Sequence, residues 1–225
     1  MRYEGRLEAG RALAAELEGL ALGPCVVAGI PRGGVIVARP IADRLGAPLT
    51  ALHTRKLTAP IAPEVAFGAV DEDGHVVIDY ATSVSLGLGD ADVVRIKTEV
   101  GAEIARRRGL YGSAPLGYYL PGRTVILVDD GLATGLTMQA AVAYAQRHGA
   151  DGVIVAVPCA SARAASQVGS LLHRERDRFV CPIVDAEFGA VGAYYADFRP
   201  VRDEDVVELL RPFRTAAGAR SPAEA

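Results

Sequence analysis

The sequence predicts an α/β fold, a five-stranded parallel sheet flanked by helices, and three observations carry that expectation. Five short apolar runs, at residues 25–30, 48–54, 124–128, 151–158 and 178–184, alternate with stretches of helical periodicity. The run at 124–128 is continuously aliphatic or β-branched, which suits a strand covered on both faces. It halts on Asp129 and Asp130, passes through a turn bearing Gly131, Thr134 and Gly135, and resumes as a helix around Gln139 to Ala145. Strands separated by helices pair in parallel through right-handed crossovers.

Taken in order, the chain opens with a helix expected at residues 4–20, where Leu7, Ala14 and Leu17 form an apolar stripe between Arg6, Arg11, Glu16 and Glu18. Gly19, Gly23 and Pro24 end it. The strand at 25–30 leads into Pro31-Arg32-Gly33-Gly34 and a helix at 35–45. The strand at 48–54 ends on Arg55 and Lys56, which places two cations at a carboxyl edge, where open α/β sheets bind ligands. His53 is expected to be packed, because nothing nearby supplies an orienting acid.

Between residues 58 and 120 the pattern changes. Pro60 and Pro63 break regular structure, and residues 64–70 and 75–78 read as a hairpin about Asp71-Glu72-Asp73-Gly74. A polar helix at 90–108 carries a thin stripe of Val94, Ile96, Val100 and Ile104. It ends on Arg106, Arg107 and Arg108, cations that suit a helix C-terminus or else reach across to an anion. After the central run and the strand at 151–158, Ser161 is placed to cap a helix to residue 173. The last core strand, at 178–184, leads into an aromatic and glycine-rich segment, a short helix at 204–211, and a small-residue tail at 215–225 expected to fray.

At 225 residues and 50% hydrophobic composition, one full core is expected, in a single domain over 1–214. The net charge of -3 gives no global attraction to nucleic acid. No apolar run approaches the ~20 residues of a membrane span, and Met1-Arg2-Tyr3-Glu4 lacks the apolar core of a signal peptide, so a cytoplasmic protein without membrane partners is expected. Cys25, Cys159 and Cys181 are widely spaced beside apolar residues and read as buried thiols. No P-loop, dinucleotide, serine-hydrolase, CxxC or HExxH pattern is present.

The central junction has chemistry legible from its residue types. Successive amides from Gly131 through Leu132, Ala133, Thr134, Gly135, Leu136 and Thr137 can converge on an anion at a helix start, with two Thr hydroxyls as further donors. Asp129 and Asp130 just ahead of this cradle would repel a phosphate unless they bind something else, such as vicinal hydroxyls or a cation. A sugar phosphate with a diol satisfies both halves. Pro31, Arg32, Gly33 and Gly34 make a second strand-loop-helix junction with a cation in place of acids, which reads either as an anion site or as a plain turn with an exposed Arg. Lys56 and Lys97 are the only lysines among 24 basic residues.

Val128-Asp129-Asp130-Gly131-Leu132-Ala133-Thr134-Gly135-Leu136-Thr137 resembles the phosphoribosyl pyrophosphate (PRPP) signature of the type I phosphoribosyltransferases. The resemblance implies transfer of the phosphoribosyl group of PRPP to a nitrogenous base, with release of pyrophosphate and Mg2+ held mainly through PRPP and water. In that family the two acids hold the ribose hydroxyls, the loop after them holds the 5-phosphate, and a loop after the first core strand, often with a cis peptide, holds pyrophosphate. Asp129, Asp130, Arg55 and Lys56 would then be the catalytic set, with Pro31 to Gly34 joining Arg55 and Lys56 on pyrophosphate. Residues 58–120 correspond to the family's mobile loop and hairpin. Residues 185–200 correspond to its hood over the base, with Phe188, Val191, Tyr194 and Tyr195 as base contacts; the same aromatics would also suit a sealed sheet edge or a homodimer contact. The chain departs from the hypoxanthine-guanine members at Ala133, where they carry an Asp. Some proteins on this fold only sense PRPP or nucleotides, so a catalytically silent sensor is the alternative.

Overall fold

The computed structural model describes residues 2–213; the tail expected at 215–225 lies outside them. The elements run α1 (Arg6–Glu18), β1 (Cys25–Gly29), α2 (Gly33–Leu45), β2 (Leu49–Ala51), β3 (Arg55–Ala59), β4 (Ala62–Val70), β5 (Val76–Ile78), α3 (Tyr80–Ser85) and α4 (Asp90–Tyr111). They continue through β6 (Thr124–Val128), α5 (Leu136–Arg147), β7 (Gly152–Ala156), β8 (Cys159–Ser161), α6 (Ala162–Gly169), β9 (Arg178–Val180), β10 (Ile183–Asp185) and α7 (Asp203–Leu210).

The main sheet has five parallel strands in the order β2-β1-β6-β7-β9. Its centre, β6, is buried along its whole length, and alternate side chains feed two different cores. Val125 and Leu127 pack with Met138, Ala141 and Val142 of α5 and Ala164 and Val168 of α6. Ile126 and Val128 pack with Leu13 and Leu17 of α1, Val35, Val37 and Ile41 of α2, and Val206 and Leu210 of α7. Covering both faces is what made the run continuous in the sequence. In β1 and β6, Gly29 pairs with Val128, so the loops that follow the two strands leave the sheet at the same level.

Contrary to expectation, Arg55 and Lys56 do not end the second core strand; they open β3. That strand pairs antiparallel with β4, and β4 with β5, so the expected hairpin forms two strands of a separate three-stranded sheet. Leu57, Phe67 and Val70 pack against Ile96 and Ile104 of α4, while Ala66 and Ala69 pack against Leu136 and Ala140 of α5. The second sheet is thereby seated beside the start of α5.

Two prolines cut the last expected strands short. The strand expected at 151–158 stops at Ala156, ahead of Pro158, with β8 following it, and the run at 178–184 divides at Cys181-Pro182 into β9 and β10. Proline has no N–H to give a ladder. β8 and β10 leave the main sheet and pair with each other in parallel. Ser161 caps α6 as expected, its Oγ accepting from the Ala164 N–H at 3.1 Å, but the helix ends at Gly169.

Because β6 is sealed on both faces, Ile126→Ala and Leu127→Ala should each lower unfolding free energy by about 2–5 kcal/mol. Urea denaturation checks this, and a sheet open to water on one side would show the full loss at only one of the two positions.

Candidate functional site

The loop after β6 is fixed by backbone bonds to β8 before it reaches α5. The Leu132 N–H donates to the Cys159 carbonyl and the Ser161 N–H to the Leu132 carbonyl, each at 2.9 Å. The Ser161 hydroxyl donates to the Ala133 carbonyl at 2.7 Å. Gly135, at φ +75°, turns the chain into α5, whose start has no side-chain cap. Thr134 is exposed and Thr137 half-buried at this uncapped helix start, where the first amides have no carbonyl partner within the helix. Such unpaired amides beside two Thr hydroxyls are chemically able to receive an anion.

Asp129 and Asp130 stand at the mouth of that loop. Asp129 Oδ1 accepts from the Asp130 N–H at 2.8 Å, and Asp130 Oδ2 accepts from Arg6 Nε at 2.8 Å. The Pro31-Arg32-Gly33-Gly34 loop presses directly on this pair. A Cβ on Gly33 would fall 1.9 Å from Asp130 Oδ2, and one on Gly34 would fall 2.5 Å from the Val128 carbonyl and 2.9 Å from Asp129 Cα. At Gly34 the neighbours are backbone atoms and leave no space for a side chain, whereas at Gly33 a Cβ would push the Asp130 carboxylate and Arg6 aside. The Pro31–Arg32 peptide is cis. The two junctions that the sequence separates by nearly a hundred residues thus form one crevice edge.

Burial pushes the Asp129 carboxyl well above the usual carboxylate range, and the neighbouring Asp130 charge adds to this. Lys56 and Arg6 oppose the rise. Burial also raises Asp130, against the pull of Arg6 and, more weakly, Lys56. Hydrogen bonds from a diol, or the charge of a cation, placed against the pair would favour its ionised form.

The expected cations lie around the same edge. Lys56 is exposed, and its charge bears on both acids. Arg55 lies 3.2 Å from Glu103 of α4, and Arg32 lies 3.7 Å from Asp203 of α7. Arg106 joins Glu103 at 2.7 Å to Asp203 at 2.8 Å, Arg107 reaches Glu103 at 2.9 Å, and the Tyr111 hydroxyl donates to Asp203 at 2.8 Å. Four arginines thus share two carboxylates, which leaves an excess of positive charge. The Glu103 carboxyl is held down at about 2, first by its hydrogen bond from Arg106. Arg106 and Arg107 belong to this network rather than simply finishing their own helix. His53 is packed, as expected, and burial pushes its imidazole down to about 4, with Arg108 and Arg107 adding.

The aromatic segment beyond β10 is tied to the chain's start. The Tyr3 N–H donates to the Tyr194 carbonyl at 2.8 Å and the Ala196 N–H to the Tyr3 carbonyl at 2.7 Å. Tyr195, expected to stack on a base, is only 1% exposed. Its ring lies between Tyr3 and Phe198, and its hydroxyl donates to the Asp130 carbonyl at 2.6 Å, so it braces the acid pair instead. Phe188 and Tyr194 stack on each other with centroids 5.0 Å apart, and both are half-buried. Val191 sits where any side chain on Gly131 would be, 2.7 Å from the site of a Cβ. A cavity of about 320 Å³ is bordered by Ala133, Thr134 and Leu136 of the loop together with Glu64, Asp79 and Arg163.

Arg6 and Tyr195 were not recognised from the sequence as holding the acid pair. Arg6 reads there as one polar position on an amphipathic helix, and no spacing links it to Asp130. Asp71, Asp73 and His75 also gather three metal-ligating groups on the β4-β5 turn. Asp71 is already consumed by the Asp73 and His75 amides, both at 3.0 Å, and by Arg147 at 2.7 Å, and Asp73 by His148 at 2.6 Å.

No helix among the described residues is long and apolar enough to cross a membrane. The family model for the phosphoribosyl transferase domain matches residues 3–195. The Mycobacterium tuberculosis proteins Rv0571c (strain H37Rv) and MT0597 (strain CDC 1551) are each 39% identical over 210 residues, covering 92% of this chain and 46% of their own lengths. The chain thus spans about half the length of the curated relatives it matches. The crystal structure of TT1426 from Thermus thermophilus superposes with a TM-score of 0.75 at 38% identity, over 95% of this chain and 99% of that one. With the family model spanning both loops and the acid pair between them, the chain belongs to the phosphoribosyl transferase domain family.

Proposed function

We propose that the protein transfers the 5-phosphoribosyl group of PRPP to a nitrogenous base. The observation that carries this reading is the interlock of the two loops, with an acid pair and an uncapped helix start on one and an Arg-bearing Gly-Gly turn on the other. Asp129 and Asp130 receive the ribose hydroxyls, and Gly131 to Thr137 receive the 5-phosphate. Pro31 to Gly34, Arg55 and Lys56 take the diphosphate, with Arg32 and Arg55 held in place by Asp203 and Glu103. The missing side chains of Gly33 and Gly34 let the backbone come close to both ligand and acids.

In the reaction, a ring nitrogen of the base gives its lone pair to C1 of the ribose, and the C1–O bond to diphosphate breaks with its electrons leaving on pyrophosphate. The surplus positive charge of the arginine cluster favours that departure, because the leaving group gains negative charge as the bond lengthens. A magnesium ion, held mainly through PRPP and water as the family resemblance implies, would neutralise part of that charge. The acid pair would serve the ion through the ribose hydroxyls it holds, with no carboxylate as its direct ligand.

The acceptor's proton is the open position in the site. Ala133 presents a methyl where the hypoxanthine-guanine enzymes place an Asp, so this chain supplies no proton acceptor there. Glu64 and Glu187, the remaining candidates, are both exposed. A second reading, a PRPP or nucleotide sensor that performs no transfer, is also consistent with Ala133. A pyrophosphate-release assay with PRPP, magnesium and a panel of purines, pyrimidines and pyridine carboxylates separates the two readings, since only an enzyme turns over.

Replacing both acids, Asp129→Asn with Asp130→Asn, should weaken PRPP at least about tenfold, since each hydrogen bond to a charged group is worth about 1.5–3 kcal/mol. Calorimetry on the folded double variant checks this, and an unchanged affinity contradicts the ribose assignment. Among acceptors, hypoxanthine and guanine should be poor substrates. Whichever base does react should lose affinity when Phe188→Ala removes one ring of the Phe188–Tyr194 stack, by about 0.5–1.5 kcal/mol beyond lost area. Efficient turnover of a 6-oxopurine would refute the reading of Ala133.

A further inference from the structure

Arg6 stands where three parts of the site meet. Its Nε donates to Asp130 Oδ2 at 2.8 Å, and the two side chains are only 11% and 17% exposed. One terminal nitrogen donates to the Arg199 carbonyl at 3.0 Å, and the guanidinium carbon lies 3.9 Å from the centre of the Phe198 ring and 5.9 Å from that of Tyr195. Gly33 closes the other side, since a Cβ there would lie 2.8 Å from Arg6 Nε. A planar cation gripped by a carbonyl, an aromatic face and a carboxylate has little freedom, and that rigidity passes to the carboxylate.

From this geometry we infer that Arg6 is a positioning residue for the ribose site: it fixes Asp130 Oδ2, leaves Oδ1 to meet a sugar hydroxyl, and ties that carboxylate to the aromatic segment around Tyr195 and Phe198. The inference rests on the ribose assignment proposed above. The Tyr195 hydroxyl on the Asp130 carbonyl holds the backbone of the same residue. Asp130 is thus set from two sides by the N-terminal helix and the segment after β10. Lys56 and Asp129 are the other charges bearing on it. Among the described residues the hydrogen-bond partners of Arg6 are Asp130 and Arg199, and it meets the diphosphate loop only at Gly33, so its loss should be felt mainly at the ribose end of the ligand.

The test is calorimetric titration of ribose 5-phosphate and of inorganic pyrophosphate into the wild-type protein, Arg6→Gln and Arg6→Lys, with folding followed by thermal melts. Arg6→Gln should weaken ribose 5-phosphate about tenfold and leave pyrophosphate within about twofold. Arg6→Lys keeps the charge but not the planar fork, and should fall between, at about threefold. If the Gln variant does not fold, the Lys variant carries the same selective loss alone. Undiminished ribose 5-phosphate affinity in a folded variant, equal losses for both ligands, or a Lys variant as weak as Gln would overturn the inference. A wild-type protein that binds no ribose 5-phosphate overturns the ribose assignment itself, and the role of Arg6 with it.

Discussion

The close approach of two glycines to two acids is the constraint on which the rest of the site depends. Gly33 and Gly34 lie against Asp130 and Asp129, where a methyl group would push the Asp130 carboxylate aside or strike the backbone of Val128 and Asp129, and this contact exists because β1 and β6 are neighbours in register. The parallel pairing of Gly29 with Val128 sends both loops off the sheet edge at one height. The buried faces of β6 therefore do more than stabilise the fold. They hold a cationic turn and an acidic turn within contact of each other, at the carboxyl ends of the strands where α/β sheets bind their ligands.

Charge at that edge is divided into two unequal parts. The acid pair is underneutralised, with burial lifting both carboxyls against the pull of Arg6 and Lys56. The arginine cluster is overcharged, with Arg32, Arg55, Arg106 and Arg107 sharing Glu103 and Asp203. A ligand with a donor-rich diol at one end and a polyanion at the other suits both parts. The carboxylates on α4 and α7 keep the arginines oriented, and they also compete with any arriving diphosphate. An anion that binds there gains only the surplus.

Much of this was legible in the sequence, and the gaps have physical causes. The strand-to-helix junctions could be read because each combines a sharp composition change with local chemistry, in Val128 to Thr137 and in Pro31 to Gly34. The placement of Arg55 and Lys56 was misread because a three-residue irregular turn, Leu52 to Thr54, separates β2 from β3 without a Gly or Pro to mark it. The breaks at Pro158 and Pro182 carry a plain local signal, but the pairing of β8 with β10 is a long-range outcome that no local pattern encodes. Arg6 and Tyr195 act on Asp130 from 124 and 65 positions away, contacts that depend on the finished fold.

The central claim is that the two loops form one continuous site for a single phosphosugar diphosphate. Competition calorimetry tests it most directly, with ribose 5-phosphate, inorganic pyrophosphate and PRPP titrated singly and in pairs in the presence of magnesium. The two fragments should bind together without displacing each other, and PRPP should displace both. If PRPP displaces only one fragment, or if the fragments exclude each other, the loops do not form the single site described.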